Sequence, residues 1–215
     1  MYLSRLKLGK STKCRAVRFS VTKLHGIIER CFEGEKDRVL WRIDRVGVDD
    51  FVLILSERKP SLINAAEQLC DFGQTIEESK SYDKTLEKIN TGDVYRFRLR
   101  ANPVIKYGNK IEAIASPNEH TAEDIKNGAS PNTQRNWLTS RAASLGFSLR
   151  GDDFLVVKTE WVKVIKQGNK PFSFKSAEYE GVLTVTDAEL FRQTMMRGIG
   201  REKAYGCGLL TVIKL

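Results

Sequence analysis

Tyr95-Arg-Phe-Arg-Leu-Arg100 alternates apolar and basic residues without a break, and this stretch constrains the chain more than any other. A period of two puts Tyr95, Phe97 and Leu99 on one face of a strand and Arg96, Arg98 and Arg100 on the other. One face must pack against other elements. The opposite face is a row of three guanidinium groups. It reads either as a solvated strand face or as a stripe that tracks an RNA backbone.

The residues before it read as β-α-β-β-α-β. Residues 2 to 8 alternate as a half-buried strand, and a basic loop, Lys10 to Arg18, follows. Phe19 to Phe32 is a helix with Ser20 as N-cap and a Phe19–Leu24 staple. Val21, Leu24, Ile27, Ile28 and Cys31 form its apolar stripe, and Gly34 ends it. Residues 38 to 45 and Phe51 to Leu55 make a hairpin around Gly47 to Asp50. Pro60 to Leu69 is a short helix with Pro at its start. Tyr82 to Lys88 reads as an edge strand or a helix, and the edge strand is taken.

Thr91-Gly92-Asp93 is the expected boundary between domains 1–90 and 91–215. Beyond the alternating strand, residues 107 to 130 read as a mobile loop. Asn132 to Leu145 is a helix closed by Gly146. Phe154 to Val157, Trp161 to Ile165, Phe172 to Lys175 and Glu180 to Thr186 are strands, with Gln167 to Pro171 as a hairpin tip. Asp187 to Arg197 is the last helix. A glycine loop and a final strand, Leu209 to Ile213, follow. The expected fold class is α+β: two tandem ferredoxin-like (RRM-like) β-α-β-β-α-β domains, with an extra basic β-hairpin in the second.

The chain has 215 residues, 36 basic against 27 acidic, for a formal charge of +9. That balance suggests a polyanionic partner. Anionic membrane is the rival, but no basic amphipathic helix of the interfacial kind appears. No run approaches the roughly 20 apolar residues of a membrane span, and no signal-peptide core is present, so a cytoplasmic location is expected. Four scattered cysteines and two distant histidines give no metal site, and no cofactor is expected. G-x-S-x-G, H-E-x-x-H and paired-carboxylate signatures are missing, as is the aromatic strand signature of an RRM.

His25 sits on the first helix at the edge of its polar face, near Arg15 and Arg18 and beside Lys23. The positive helix end and these cations disfavour imidazolium. A neutral imidazole suits a general base; the alternatives are a surface histidine or a pair with Glu29. One base or acid near a 2′-hydroxyl, with cations near the phosphate, is enough to cleave RNA without a metal, and His25 is the expected general base or acid. Lys163, Lys166, Lys170 and Lys175 on the hairpin read either as RNA contacts or as guards of an exposed edge. Gly198, Gly200, Gly206 and Gly208, with Arg201 and Lys203 among them, read as a phosphate cradle or as a helix C-cap and tight turn.

Met1-Tyr-Leu-Ser, Leu24-His25, Tyr95-Arg-Phe-Arg-Leu-Arg-Ala-Asn-Pro103, Glu180-Gly-Val-Leu-Thr-Val and Gly198-Ile-Gly-x-x-Lys-Ala-x-Gly-Cys-Gly-Leu-Leu together resemble the CasE family. Those proteins are the CRISPR-RNA-processing endoribonucleases of the type I-E Cascade complex. The resemblance covers both ends and the middle of the chain. It implies two ferredoxin-like domains side by side and metal-independent cleavage at the base of a repeat stem-loop. The ends left would be a 2′,3′-cyclic phosphate or 3′-phosphate and a 5′-hydroxyl. It also implies an enzyme, monomeric when free, that stays on its product hairpin with other Cascade subunits.

The family's catalytic histidine falls on His25; Thr22 and Lys23 are the other expected catalytic residues, and Arg15 and Lys23 are expected to orient the scissile phosphate. Its glycine-rich loop falls on Gly198 to Gly208, and its RNA-gripping hairpin on Trp161 to Lys175. Thr22 stands where relatives often carry a tyrosine, three residues before the histidine, and keeps only a hydroxyl. The expected RNA contacts are Arg15, Arg18, Arg96, Arg98, Arg100, Lys163, Lys166, Lys170, Gly200, Arg201, Lys203, Gly206 and Gly208. Two rival readings are a non-catalytic stem-loop-binding subunit of the same fold and a basic scaffold for any structured RNA.

Overall fold

Leu6, Val52 and Ile54 lie on adjacent strands and are sealed from solvent, so one side of the N-terminal sheet is a core. A computed structural model describes residues 1–34, 38–73, 77–107, 110–114, 133–166, 168 and 170–215. They pack as two compact units. The first comprises 1–88, 164–172 and 202–209; the second comprises 89–163, 173–201 and 210–215.

The first unit runs β1 (Tyr2–Lys7), α1 (Thr12–Arg18), α2 (Val21–Glu29), β2 (Leu40–Val46), β3 (Asp49–Ser56), α3 (Ile63–Leu69), β4 (Glu77–Ser81) and α4 (Asp83–Glu87). Its antiparallel sheet has the order β2-β3-β1-β4, with Leu6 opposite Val52 and Trp41 opposite Ile54. Leu24, Ile27, Ile28 and Cys31 of the α2 stripe pack with Leu6, Trp41, Val52, Ile54 and Leu69.

Four local expectations are corrected here. The basic stretch Lys10 to Arg18 is largely the helix α1, not a loop. Ser11 accepts from the Cys14 amide, and the Asp71 carboxylate takes the Lys10 and Ser11 amides at 2.7 and 3.2 Å. That anchor lies sixty residues away, beyond any local pattern. The Phe19–Leu24 staple does not form: Phe19 is 78% exposed, with the Arg18 guanidinium 5.1 Å from its ring centre. Helix α3 begins at Ile63 rather than at Pro60. Tyr82 to Lys88 is not a strand. Tyr82 and Leu86 are buried four residues apart, a helical spacing, and Asp83 in the first turn binds the N-terminal ammonium at 2.8 Å.

The second unit continues with β5 (Val94–Ala101), β6 (Val104–Tyr107), β7 (Lys110–Ala113), α5 (Gln134–Ala142), β8 (Phe147–Ser148), β9 (Phe154–Val164), β10 (Phe172–Val185), α6 (Ala188–Arg197) and β11 (Leu210–Lys214). Its sheet order is β11-β5-β10-β8, with β9 paired to β10. Numbered by role, both sheets have the order 4-1-3-2 of the ferredoxin-like fold, so the expected α+β class holds. Tyr95, Phe97 and Leu99 of β5 are buried, with Phe97 and Phe154 rings 6.4 Å apart.

Two corrections apply here as well. The strand fragments expected between 154 and 186 are two long strands, β9 and β10. In the polar middle of β9, Glu160 pairs with Lys158 of the same strand and with Arg100 of β5, both at 2.8 Å. Residues 110–113 of the expected loop 107 to 130 pair with β6 as a hairpin, and 108–109 and 115–130 lie outside the described residues.

Candidate functional site

Helix α2 sets the position of His25. The Ser20 hydroxyl oxygen accepts from the Lys23 amide at 3.4 Å and fixes where the helix starts. The stripe then buries Leu24, Ile27 and Ile28 and leaves His25 beside it, its side chain 23% exposed. One turn on, Glu29 Oε1 lies 3.4 Å from His25 Nε2. The imidazole also meets the Tyr205 ring edge-to-face, with centroids 5.9 Å apart and planes at 65°.

Tyr205 arrives from the far end of the chain, in the 3-10 turn Lys203–Tyr205, and is only 5% exposed. Three contacts fix the turn. The Trp41 indole N–H donates to the Ala204 carbonyl at 3.1 Å. The sealed Arg42 holds Asp44 through two hydrogen bonds, at 2.6 and 2.7 Å, and donates to the Leu209 carbonyl at 2.7 Å. Gly206 lies against Trp41 at φ 82°, where an added Cβ would come within 2.9 Å of the indole ring. Glycine here permits a close approach of the backbone to a tryptophan.

The segment 164–172 brings Lys166 to the same place, its ammonium 5.5 Å from the Tyr205 ring centroid. A hydrogen bond with the Tyr205 hydroxyl raises the Lys166 pKa above the ordinary lysine value, with smaller help from Glu29 and Glu202. Phe172 meets the Tyr205 ring edge-to-face, centroids 5.9 Å apart. Lys203 is partly buried; burial, then Arg38, pushes its ammonium below the usual range. An imidazole, a carboxylate, a phenol and an ammonium thus share one cluster. Such a group can move a proton beside a cation that attracts phosphate. Cys31, two residues past the end of α2, is no nucleophile: burial pushes its thiol up to about 11. Among the described residues, no three His, Cys, Asp or Glu side chains gather closely enough to hold a metal.

The structure thus brings together His25, Lys166 and the loop bearing Lys203, Gly206 and Gly208. Thr22 is half-buried on α2, and Lys23 is exposed there. Arg15 is exposed on α1, whereas Arg18 is turned to Asp50 at 2.5 Å. Lys170 is exposed in the first unit. The remaining predicted residues belong to the second unit. Arg96, Lys163 and Arg201 are exposed there. Arg98 pairs with Glu180, and Arg100 pairs with Glu160 and the Ser176 hydroxyl. Gly200 lies against Trp137, 3.2 Å from where its Cβ would be. Sequence reasoning missed Tyr205, Phe172 and Arg42. Tyr205 could have been found: it is the aromatic residue inside a loop already marked by its glycines.

Residues 1–214 match a family described as CRISPR associated protein. The chain is 28% identical over 234 residues to the CRISPR-associated endoribonuclease Cse3 of Thermus thermophilus, covering 99% of both chains. It is also 28% identical over 137 residues to the CRISPR system Cascade subunit CasE of Escherichia coli, covering 60% of this chain and 62% of that one. A solved structure of Thermus thermophilus Cse3, bound to an RNA representing a pre-cleavage complex, aligns with a TM-score of 0.75 at 25% identity. The alignment covers 99% of this chain and 98% of that one.

Proposed function

The chain belongs to the CRISPR associated protein family, and on that premise we propose that it is an endoribonuclease. It cuts CRISPR precursor RNA at the base of the repeat stem-loop and then holds the hairpin within Cascade. The Thermus thermophilus relative is an endoribonuclease by name, and its structure carries an RNA representing a pre-cleavage complex. The Escherichia coli relative is a Cascade subunit by name. The observation that carries the reading is the meeting of His25 and Lys166 on Tyr205.

The chemistry needs no metal. His25 takes the proton of the 2′-hydroxyl, the 2′-oxygen forms a bond to the adjacent phosphorus, and the bond to the 5′-oxygen breaks. A 2′,3′-cyclic phosphate remains. The leaving 5′-oxygen takes up a proton and becomes a hydroxyl. Lys166, with Lys23 and Lys203, faces the charge that develops on the phosphoryl oxygens. Glu29 orients the imidazole. Arg15, Arg96, Lys163, Lys170 and Arg201 hold the RNA backbone, and the glycine loop gives that backbone room. The chain works in the cytoplasm; Cys14, Cys31, Cys70 and Cys207 form no disulfide, which suits a reducing compartment. No helix among the described residues is long and apolar enough to cross a membrane.

The test is cleavage of the host's repeat RNA in EDTA, with and without a 2′-deoxy sugar at the cut site. Cutting in EDTA that the deoxy sugar abolishes is the expected result. Cutting that requires a metal overturns the mechanism. Tight binding without cutting makes the chain a hairpin-holding subunit.

A further inference from the structure

Two segments distant in sequence converge on one phenol. The imidazole of His25 on α2 lies against the Tyr205 ring. The Lys166 ammonium, from the segment 164–172, lies 5.5 Å from the Tyr205 ring centroid. The Phe172 ring also meets Tyr205 edge-to-face, with centroids 5.9 Å apart. Tyr205 itself is nearly buried, and its turn is tied down by Trp41 and Arg42. The turn opens at Glu202 with φ 55°, the left-handed region that non-glycine residues rarely adopt. A backbone held there is over-determined by its surroundings, which favours a fixed position for the side chain three residues on.

We propose that Tyr205 is a positioning residue of the cleavage site: its ring sets the plane of His25, its hydroxyl sets the place of Lys166, and so one side chain fixes the distance between the proton-transfer group and the cation that meets the phosphate. This rests on the cleavage reading above. Lys166 extends from a hairpin tip on four rotatable bonds, and an unheld ammonium would sample many positions. The phenol oxygen selects one of them before RNA arrives. It also favours the charged amine, since its hydrogen bond stabilises the ammonium. The phenol exchanges no proton with substrate in this scheme.

The test compares Tyr205→Phe, which keeps the ring, with Tyr205→Leu, which removes it, in the full chain and in a Lys166→Met background. Single-turnover cleavage of the repeat stem-loop gives the rate, titration gives RNA affinity, and melting temperature reports folding. Tyr205→Phe is expected to slow cutting roughly tenfold, the worth of one charge-assisted hydrogen bond, with affinity changed less than about threefold. Tyr205→Leu is expected to lose roughly 100-fold, because a misplacement of about 1 Å has that effect. With Lys166→Met, the loss from Tyr205→Phe should shrink to less than about twofold, since its partner is already gone.

Equal rates for wild type and Tyr205→Phe overturn the proposal while leaving the cleavage reading intact. The same tenfold loss with and without Lys166 also overturns it. If Tyr205→Leu fails to fold, the Tyr205→Phe cycle decides alone. If the unaltered chain binds the stem-loop and never cuts, the cleavage reading and this proposal fall together.

Discussion

The first unit and the second share one strand order but use their arginines in opposite ways. Arg42 of β2 is sunk beneath the surface, where it grips Asp44 and the carbonyl of Leu209. Its work is architectural: it holds the loop that carries Tyr205. Arg96, Arg98 and Arg100 of β5 stand on an open strand face, yet only Arg96 is exposed among them. Arg98 meets Glu180 on the adjacent β10, and Arg100 meets Glu160 on β9, which pairs with β10. A row of cations in sequence therefore defines a face. Whether those cations are available to RNA depends on what the adjacent strands place opposite them.

The comparison breaks most visibly at Arg42. Arg42→Met leaves Asp44 and a buried carbonyl without their donor, and should cost about 3–5 kcal/mol in urea unfolding. A loss below about 1 kcal/mol would mean that the loop is held without it. The second unit offers a smaller contrast. Arg100→Met leaves Glu160 still paired with Lys158 and should cost only about 1 kcal/mol, with RNA affinity nearly unchanged. Arg96→Met should leave stability within about 0.5 kcal/mol and lower the salt slope of RNA binding by about one. Equal salt slopes for these two variants would erase the distinction between paired and exposed arginines.

The smallest effect concerns Asp71, which anchors α1. Hydrogen bonds from the Ser11 hydroxyl, then from the Lys10 amide, hold its carboxyl below the ordinary carboxylate range. A carboxyl lowered on folding stabilises the native state above about pH 4, and that contribution is lost as pH falls through the folded value. Asp71→Asn should therefore flatten the fall of melting temperature below about pH 4. An unchanged acid profile would show that the anchor adds nothing.

The fold was legible where hydrophobic spacing is local. The stripe Leu24, Ile27 and Ile28 and the alternation Tyr95, Phe97 and Leu99 each name an element and its buried face, and the order of such elements names both sheets. Helix α1 was missed because Asp71 anchors its start from the far end of the domain. Helix α4 was missed because Tyr82 and Leu86 fit a period of two as well as a period of four. At the site, His25 was legible from its helix edge, but its neighbours were not. Tyr205 and Lys166 lie 180 and 141 residues away in sequence, and only tertiary packing joins them to it. Arg42 reads locally as one more strand cation; its burial depends on Leu209.

Single-turnover cleavage of the repeat stem-loop by His25→Ala tests the central claim most directly. The account predicts a rate lower by about 10²–10⁴-fold, with RNA affinity and melting temperature close to wild type. Cleavage at the wild-type rate by a folded His25→Ala chain would contradict it.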